Sequence, residues 1–311
     1  MTMINIDKKK FSEAYTYAVE LYKEEGDRLL LSCERTREHS TFYNTHQFLR
    51  PLNHFRRSVN RFIYTCAMLK LLSKPSGRIL EVGVTPGHMT AVLPLMGYDM
   101  YGIDIDPERC DEKLVEIGKI KKCDIESENI PFEDNSFDVV LLCEVLEHLR
   151  MNPLVMIREI KRVLKPLGKL ILTTPNRTRL ESRIKMLFGD SDIESPYGVF
   201  ERVEKHGHAG HIRLYTFTEI DEMLSKEGLT DNKVVYFDYK KKVFSGKDQY
   251  GIYRKLTLIE MFRRISGFIR PRNFFNLWIA VMQGIYQKFK GSLFIISTKP
   301  AILSVIENES D

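Results

Sequence analysis

Short apolar runs alternate with helix-period segments between Arg78 and Thr298, and this predicts an α/β fold with a mostly parallel sheet. Strands joined through helices wind into parallel neighbours by right-handed crossovers. The run Phe137–Cys143 (FDVVLLC) supports the same reading. It is apolar almost from end to end, as a strand covered on both faces must be.

Each element follows in order. Residues 1–75 are expected to be helical, with apolar positions at helical spacing in Phe62, Ile63, Cys66, Met68, Leu69 and Leu72. Lys74-Pro75-Ser76-Gly77 breaks that helix. Ile79–Gly83 is the first strand, entering a turn at Pro86-Gly87, and a helix runs from there to Met96. Met100–Ile105 is the second strand. Pro107 opens the next helix at its first position, where the missing N–H costs nothing. Ile120–Ile125, Phe137–Cys143 and Lys169–Thr174 are the third to fifth strands. Before the fifth comes a helix with apolar residues at 154, 157, 160 and 164, ended by Lys165–Gly168. No pattern is legible from Pro175 to Thr216. There Thr216-Phe217-Thr218-Glu219 reads as a capping box and Gly228 as the helix stop. Lys233–Tyr239 and Ser292–Thr298 are the last two of seven strands.

Composition excludes several classes. Five cysteines at 33, 66, 110, 123 and 143 form neither a CxxC pair nor a zinc spacing, which reads as reduced intracellular thiols. The amino terminus is polar and reads as no secretory signal. The apolar stretch Phe274–Phe289 is broken by Asn276, Gln283, Gly284 and Gln287, too polar to span a bilayer. Charge is uneven. Residues 240–290 hold twelve Lys and Arg against Asp248 and Glu260, whereas the whole chain is only +5. Such a local field suits an acidic partner surface.

In open parallel sheets ligands sit outside the carboxyl ends of the strands, and four strand ends here carry chemistry. Glu81-Val82-Gly83 leads to Gly87, a turn whose glycines let the backbone approach a ligand. Asp104, with Ile105 beside it, ends the second strand 23 residues after Glu81, where an acid can accept from both ribose hydroxyls of a nucleoside. Asp124-Ile125 offers an acceptor for an adenine amine and an apolar wall, and Cys143-Glu144 ends the fourth strand.

With these stretches on the page, residues 78–175 resemble the core of class I S-adenosylmethionine (SAM)-dependent methyltransferases, of the type 11/23 kind found in glycan and quinone pathways. RILEVGVTPG, YGIDIDPE, IPFEDNSFDVVLLCEVLEHL and RVLKPLGKLILTTPN match its successive motifs. The resemblance covers about a third of the chain closely. It implies a Rossmann-like seven-stranded mostly parallel sheet flanked by helices; the sequence pattern adds N-terminal helices and a helical insertion between the last two strands, which a standard fold joins by a tight hairpin. It also implies that Glu81 and Gly83 face the methionine part of the donor, Asp104 the ribose, and Asp124 with Ile125 the adenine; Gly87, Ile105 and Cys143 complete the expected cofactor site. Thr85 departs from the family, which usually carries glycine there. A β-branched residue tolerates positive φ poorly, so the loop is expected to take a different path.

Methyl transfer to a hydroxyl benefits from a base or a metal. His148 and His211 are the candidate bases. Glu144, Glu147 and His148 would share one side of a helical turn and are the candidate ligands for a divalent cation. That ExxEH pattern resembles the metal motif of quinone-pathway and small-RNA 3′-end O-methyltransferases. Similar stretches also occur in metal-free relatives, where they cover the cofactor and cap a helix.

The expected organisation is an N-terminal helical segment (1–75), a SAM-binding core (76–239, with 176–215 covering the cleft), a basic helical insertion (240–291), and a last strand and tail (292–311). The expected activity is O-methylation of a small or lipid-linked acceptor such as a glycan sugar or quinone. An RNA methyltransferase using the basic segment, or a non-catalytic relative, are the alternatives. The chain is expected to be cytoplasmic. Arg263, Arg264, Arg270 and Arg272 precede Phe274, Phe275, Leu277, Trp278 and Ile279, and this reads either as a peripheral contact with the inner face of a membrane or as a helical pair packed on the core.

Overall fold

A computed structural model describes residues 2–3, 7–24, 51–74, 76–150, 152–191, 193, 195–206, 209–237 and 292–301. The expected basic helical insertion (240–291) and most of the tail lie outside the described residues, as does Cys33.

Eight strands form one sheet: β1 (Thr2–Met3), β2 (Arg78–Val82), β3 (Asp99–Asp104), β4 (Lys121–Lys122), β5 (Phe137–Cys143), β6 (Leu164–Pro175), β7 (Thr230–Phe237) and β8 (Ser292–Thr298). Their order is β1-β7-β8-β6-β5-β2-β3-β4, and only β8 runs antiparallel to its neighbours. The seven expected strands are thus all present. The two-residue β1 was not foreseen; it extends the edge beyond β7 inside a stretch read as helical.

Helices cover both faces. On one side lie α1 (Lys8–Glu24), α2 (Pro51–Leu72) and α3 (His88–Val92). Phe11, Ala18, Ile63, Cys66 and Leu69 from the first two pack on Ile79, Val139, Leu141, Ile171 and Phe294. Of the remaining helices, α4 (Glu112–Ile117), α5 (Leu154–Val163), α6 (Leu180–Leu187), α7 (Pro196–His206) and α8 (Phe217–Lys226), it is α5 and α8 that cover the second face. They pack Ile157, Ile160, Ile220 and Leu224 on Leu80, Val140, Leu142 and Leu172. Neighbouring residues of β5 therefore enter opposite cores, which is why that strand is apolar on both alternations.

Several expected boundaries move for local reasons. The helix after β2 stops at Val92, and Pro94–Met96 is a 3₁₀ turn closed by Gly97 at φ 87°. Pro107 opens only a 3₁₀ turn; α4 starts later, where the Asp111 side chain accepts from the Lys113 N–H. The third expected strand shrinks to Lys121–Lys122 because the carbonyl of Asp124 already accepts from Ser127 and Glu128 and turns the chain. Two helices, α6 and α7, occupy the stretch where no pattern was legible. Leu187, Phe188, Tyr197 and Phe200 are exposed there, so the apolar residues do not mark a buried face. The expected capping box is present: Thr216 Oγ1 accepts from the Glu219 N–H, and the Glu219 carboxylate accepts from the Thr216 N–H.

Candidate active site

Strand order reverses at β2, which lies between β3 and β5. Such a reversal opens a crevice at the carboxyl ends of the strands, and the expected site residues gather there. Gly83 leaves β2 with φ 75°, its N–H donating to the Ile103 carbonyl. Gly87 takes φ 91° as α3 begins. A side-chain carbon at Gly83 would come within 2.5 Å of Val145 Cγ2. The left-handed positions thus fall on glycines on either side of Thr85, not on Thr85 itself, which resolves the departure seen in the sequence.

Thr85 instead ties the loop to the second strand end. Its N–H donates to Asp104 Oδ2 at 2.9 Å. Asp104 Oδ1 accepts from the Asp106 N–H at 2.9 Å and lies 3.4 Å from an Arg109 nitrogen. The carboxylate is buried, at 6% exposure, and is locked into one orientation. Ile105 beside it is half exposed. Asp124 caps its own turn through the Glu126 N–H, while Ile125 is buried in the core with Ile103 and Leu142.

Glu81 lies buried beneath this loop, accepting from Thr90 Oγ1 at 2.8 Å. Burial pushes its carboxyl up to about 8; Asp104 adds to that, and the Thr90 hydrogen bond and Arg61 oppose it. Burial likewise pushes the Cys143 thiol up to about 12, so Cys143 is a neutral wall rather than a nucleophile.

The end of β5 carries the reactive groups. Glu144 has φ 58°, and Leu146–His148 form a 3₁₀ turn. This geometry separates residues that a regular helical turn would have aligned. Glu144 turns to Arg61 of α2, with 2.9 Å between Oε2 and Nη1, and accepts from Thr173 Oγ1 at 3.2 Å. Glu147 points elsewhere. It is fully buried, Oε2 accepts from Thr174 Oγ1 at 2.9 Å, and Oε1 has no hydrogen-bond partner. Burial and the nearby Glu144 charge hold its carboxyl well above the usual range. The Glu147 carbonyl accepts from the Ile212 N–H, and this anchors the 209–215 strip over the site.

That strip delivers His211. Its ring centroid lies 4.9 Å from that of His148, and its Nε2 lies 4.0 Å from Glu147 Oε1. His148 Nδ1 is 2.7 Å from the Gly210 carbonyl, so Nδ1 carries the proton and Nε2 keeps its lone pair. Loss of solvation lowers both imidazoles. For His211, reinforced by His148, Arg179 and Arg202, the value falls to about 4. Both are therefore neutral near pH 7. Potential ligand atoms of Glu147, His148 and His211 lie within 4.8 Å of one another. Glu144, an expected member of this set, faces Arg61, and His211 takes its place.

Sequence reading missed Arg61, Thr90, Thr173, Thr174 and the Gly210 carbonyl. Arg61 had a signal: Arg61 and Thr65 are polar residues four apart on a helix whose neighbouring positions are core, and both are buried.

A glycine turn at a strand-order switch, with a buried acid at the next strand end, defines a Rossmann-like cofactor-binding domain. Residues 80–172 match the family described as a methyltransferase domain. An uncharacterized protein of Methanocaldococcus jannaschii is 32% identical over 157 residues, covering 48% of this chain and 73% of that one. The chain belongs to that methyltransferase family and carries a SAM-dependent methyltransferase domain. A ubiquinone biosynthesis O-methyltransferase of Xanthomonas campestris pv. campestris is 33% identical over 128 residues, 38% of this chain, and the match spans about half (50%) of that enzyme's length. A SAM-dependent methyltransferase from Archaeoglobus fulgidus superposes with TM-score 0.48 at 17% identity, covering 78% of this chain and 94% of that one. Among the described residues no helix is long and apolar enough to cross a membrane.

Proposed function

We propose that the protein O-methylates a hydroxyl of a small or lipid-linked acceptor, such as a glycan sugar or a quinone precursor. The observation that carries this reading is the neutral His148–His211 pair beside the unpartnered Glu147 oxygen at the end of β5. A hydroxyl acceptor must lose a proton as it attacks, and this cluster is built to take one.

SAM supplies the electrophilic methyl group. Glu81 and Gly83 would hold its methionine part, Asp104 the ribose, and Ile105, Asp124 and Ile125 the adenine, with Gly87 and Cys143 lining the pocket. His148 Nε2 would accept the acceptor's proton while the Gly210 carbonyl holds Nδ1–H and fixes the ring. His211 would share that proton or hold the acceptor in line. A divalent ion fits the same cluster: two neutral imidazoles and a buried carboxylate with an orphaned oxygen are a reasonable donor set, and an ion there would lower the acceptor's pKa. Glu147, His148 and His211 would hold it, with Glu144 nearby. Activity after exhaustive chelation tests the ion: a loss restored by added divalent metal makes His148 a ligand, and unchanged activity removes the metal role from Glu144, Glu147 and His148.

The exposed Leu187, Tyr197 and Phe200 of α6 and α7, with Phe188 just after α6, support an apolar or lipid-linked acceptor. The basic segment 240–291 supports a peripheral contact with an anionic membrane. The decisive experiment is mass spectrometry of cell extracts incubated with the protein and methyl-labelled SAM. Label in a hydroxyl-bearing glycan or quinone precursor supports the proposal; label in RNA alone overturns it. Co-sedimentation that fails to rise with anionic lipid would overturn the membrane contact.

A further inference from the structure

Two guanidinium groups flank the histidine pair, and one of them has no counter-ion. Arg179 follows the end of β6, where Asn176 bridges to Tyr215 and the Arg177 N–H donates to the Tyr215 carbonyl. The Arg179 side chain has no hydrogen bond or ion pair among the described residues, and its Nε is buried. Arg202 of α7 lies against Gly210, whose carbonyl holds His148; a side-chain carbon at Gly210 would collide with Arg202 Nη1. Both arginines are half-buried. Their charge reaches the histidines. Burial is the main cause that lowers both rings, and Arg202 adds to it at His148, as Arg179 and Arg202 do at His211. The carboxyl groups at this end are engaged elsewhere: Glu144 pairs with Arg61, and Glu147 accepts from Thr174. Ser182, in the first turn of α6, is fully buried, and its hydroxyl has no partner among the described residues. Charge drawn out of water without a counter-ion is costly, so this end of the crevice suits an anion.

Strand order says which molecule brings it. Along the rim stand Asp104 at the end of β3, Gly83 after β2, His148 beyond β5 and Arg179 beyond β6. The donor takes the first two places and the acceptor's hydroxyl the third. Arg179 therefore meets a part of the acceptor beyond that hydroxyl. The same helices turn apolar groups outward. Tyr197, Phe200 and Val203 recur three apart on α7 and are exposed, while Arg202 falls on the side toward Gly210. Helix α6 starts directly after Arg179 and ends in exposed Met186 and Leu187. The sequence of surfaces is thus proton acceptor, cation, apolar face.

We propose that the acceptor carries a phosphate between its hydroxyl-bearing head and an apolar chain, and that Arg179 and Arg202 receive that phosphate. The inference rests on the O-methylation reading and narrows its substrate class. Phosphate is the group that joins two parts and keeps its charge; a carboxylate so joined becomes a neutral ester. A guanidinium presents five N–H donors in a planar fork, suited to the two free oxygens of a phosphodiester.

The test is calorimetry on the full chain saturated with S-adenosylhomocysteine, with three probes below micelle formation. Octanoyl lysophosphatidylglycerol has head, phosphodiester and chain; monooctanoylglycerol lacks the phosphate; glycerol 3-phosphate lacks the chain. The first should bind about ten-fold or more tighter than either other. Arg179→Gln should weaken it by about ten-fold, the scale of a hydrogen bond to a charged group. Affinities for monooctanoylglycerol and S-adenosylhomocysteine should stay within about two-fold. Monooctanoylglycerol bound as tightly as the phosphodiester overturns the phosphate, and glycerol 3-phosphate bound as tightly overturns the chain. An RNA oligonucleotide held more tightly than the lipid overturns both. Labelled methyl found on a hydroxyl acceptor without phosphate overturns this inference and leaves O-methylation standing. If Arg179→Gln does not fold, the comparison of probes on the unaltered protein still decides, and Arg202→Gln should show the same loss.

Discussion

His148 Nδ1 lies 2.7 Å from the carbonyl oxygen of Gly210, a residue 62 positions later in the chain. The contact fixes both the tautomer and the tilt of the ring. It exists because the Glu147 carbonyl captures the Ile212 N–H and pins the 209–215 strip above the end of β5.

His148→Ala should lower kcat by about 10²–10⁴-fold, the range of a positioned general base, while SAM affinity stays within a few-fold. The acid limb of the pH–rate profile should fall below the ordinary imidazole value of about 6.5, because burial lowers His148 and the neutral form persists to lower pH. An acid limb at or above that value removes His148 from the base role.

Donor binding should release a proton. Glu81 is pushed up to about 8, so the empty site holds it largely protonated at neutral pH. A cationic donor favours the carboxylate, so affinity should strengthen as pH rises from about 6 toward 8. Calorimetry in buffers of different ionisation enthalpy measures the release directly, and Glu81→Gln should abolish it. The same sign governs the empty protein. The neutral form of Glu81 is the one the fold accepts, so its contribution to stability is fully present below the unfolded pKa and is lost as pH rises toward about 8.

Gly83→Ala should damage both folding and donor binding. The residue needs φ 75° and has Val145 Cγ2 within 2.5 Å of any added carbon. A destabilisation of ~1–3 kcal/mol is expected from the backbone alone. Chemical denaturation compares the variant with Gly189→Ala, where φ is 83° but nothing lies within 4 Å of an added carbon. Equal costs would show that the Val145 contact is unimportant.

Thr216→Ala should cost ~1 kcal/mol by removing the cap of α8. Because α8 buries Phe217, Ile220 and Leu224 against the sheet, the loss should appear as a lower Tm with SAM affinity unchanged. Weaker SAM binding would mean that α8 also shapes the crevice.

The sheet and its strand ends were legible because burial on both faces writes a continuous apolar run, as in Phe137–Cys143, and because turns write Gly and Pro. Asp104 could be located from spacing alone. The partners of these residues were not legible. Arg61 meets Glu144 across 83 positions, and His211 meets Glu147 across 64, contacts set by packing and not by local pattern. The Glu144–Glu147–His148 alignment failed for a local reason: φ 58° at Glu144 breaks the helical turn that the spacing assumed. Helices α6 and α7 escaped notice because they place Leu187, Tyr197 and Phe200 outward.

The antiparallel seating of β8 has a topological consequence. Ser292 stands opposite both Pro175, the last residue of β6, and Phe237, the last residue of β7. The chain therefore departs from the sheet at Phe237 and rejoins it at Ser292 about one strand spacing away, ~5 Å, on the rim that also bears Glu144 and Asp104. The two ends of the intervening segment thus meet the sheet side by side at one doorway. Both ladders are closed on either side of that doorway, so it is a natural graft point: a lineage can exchange the sequence that arrives there and keep the strand pairing that frames it.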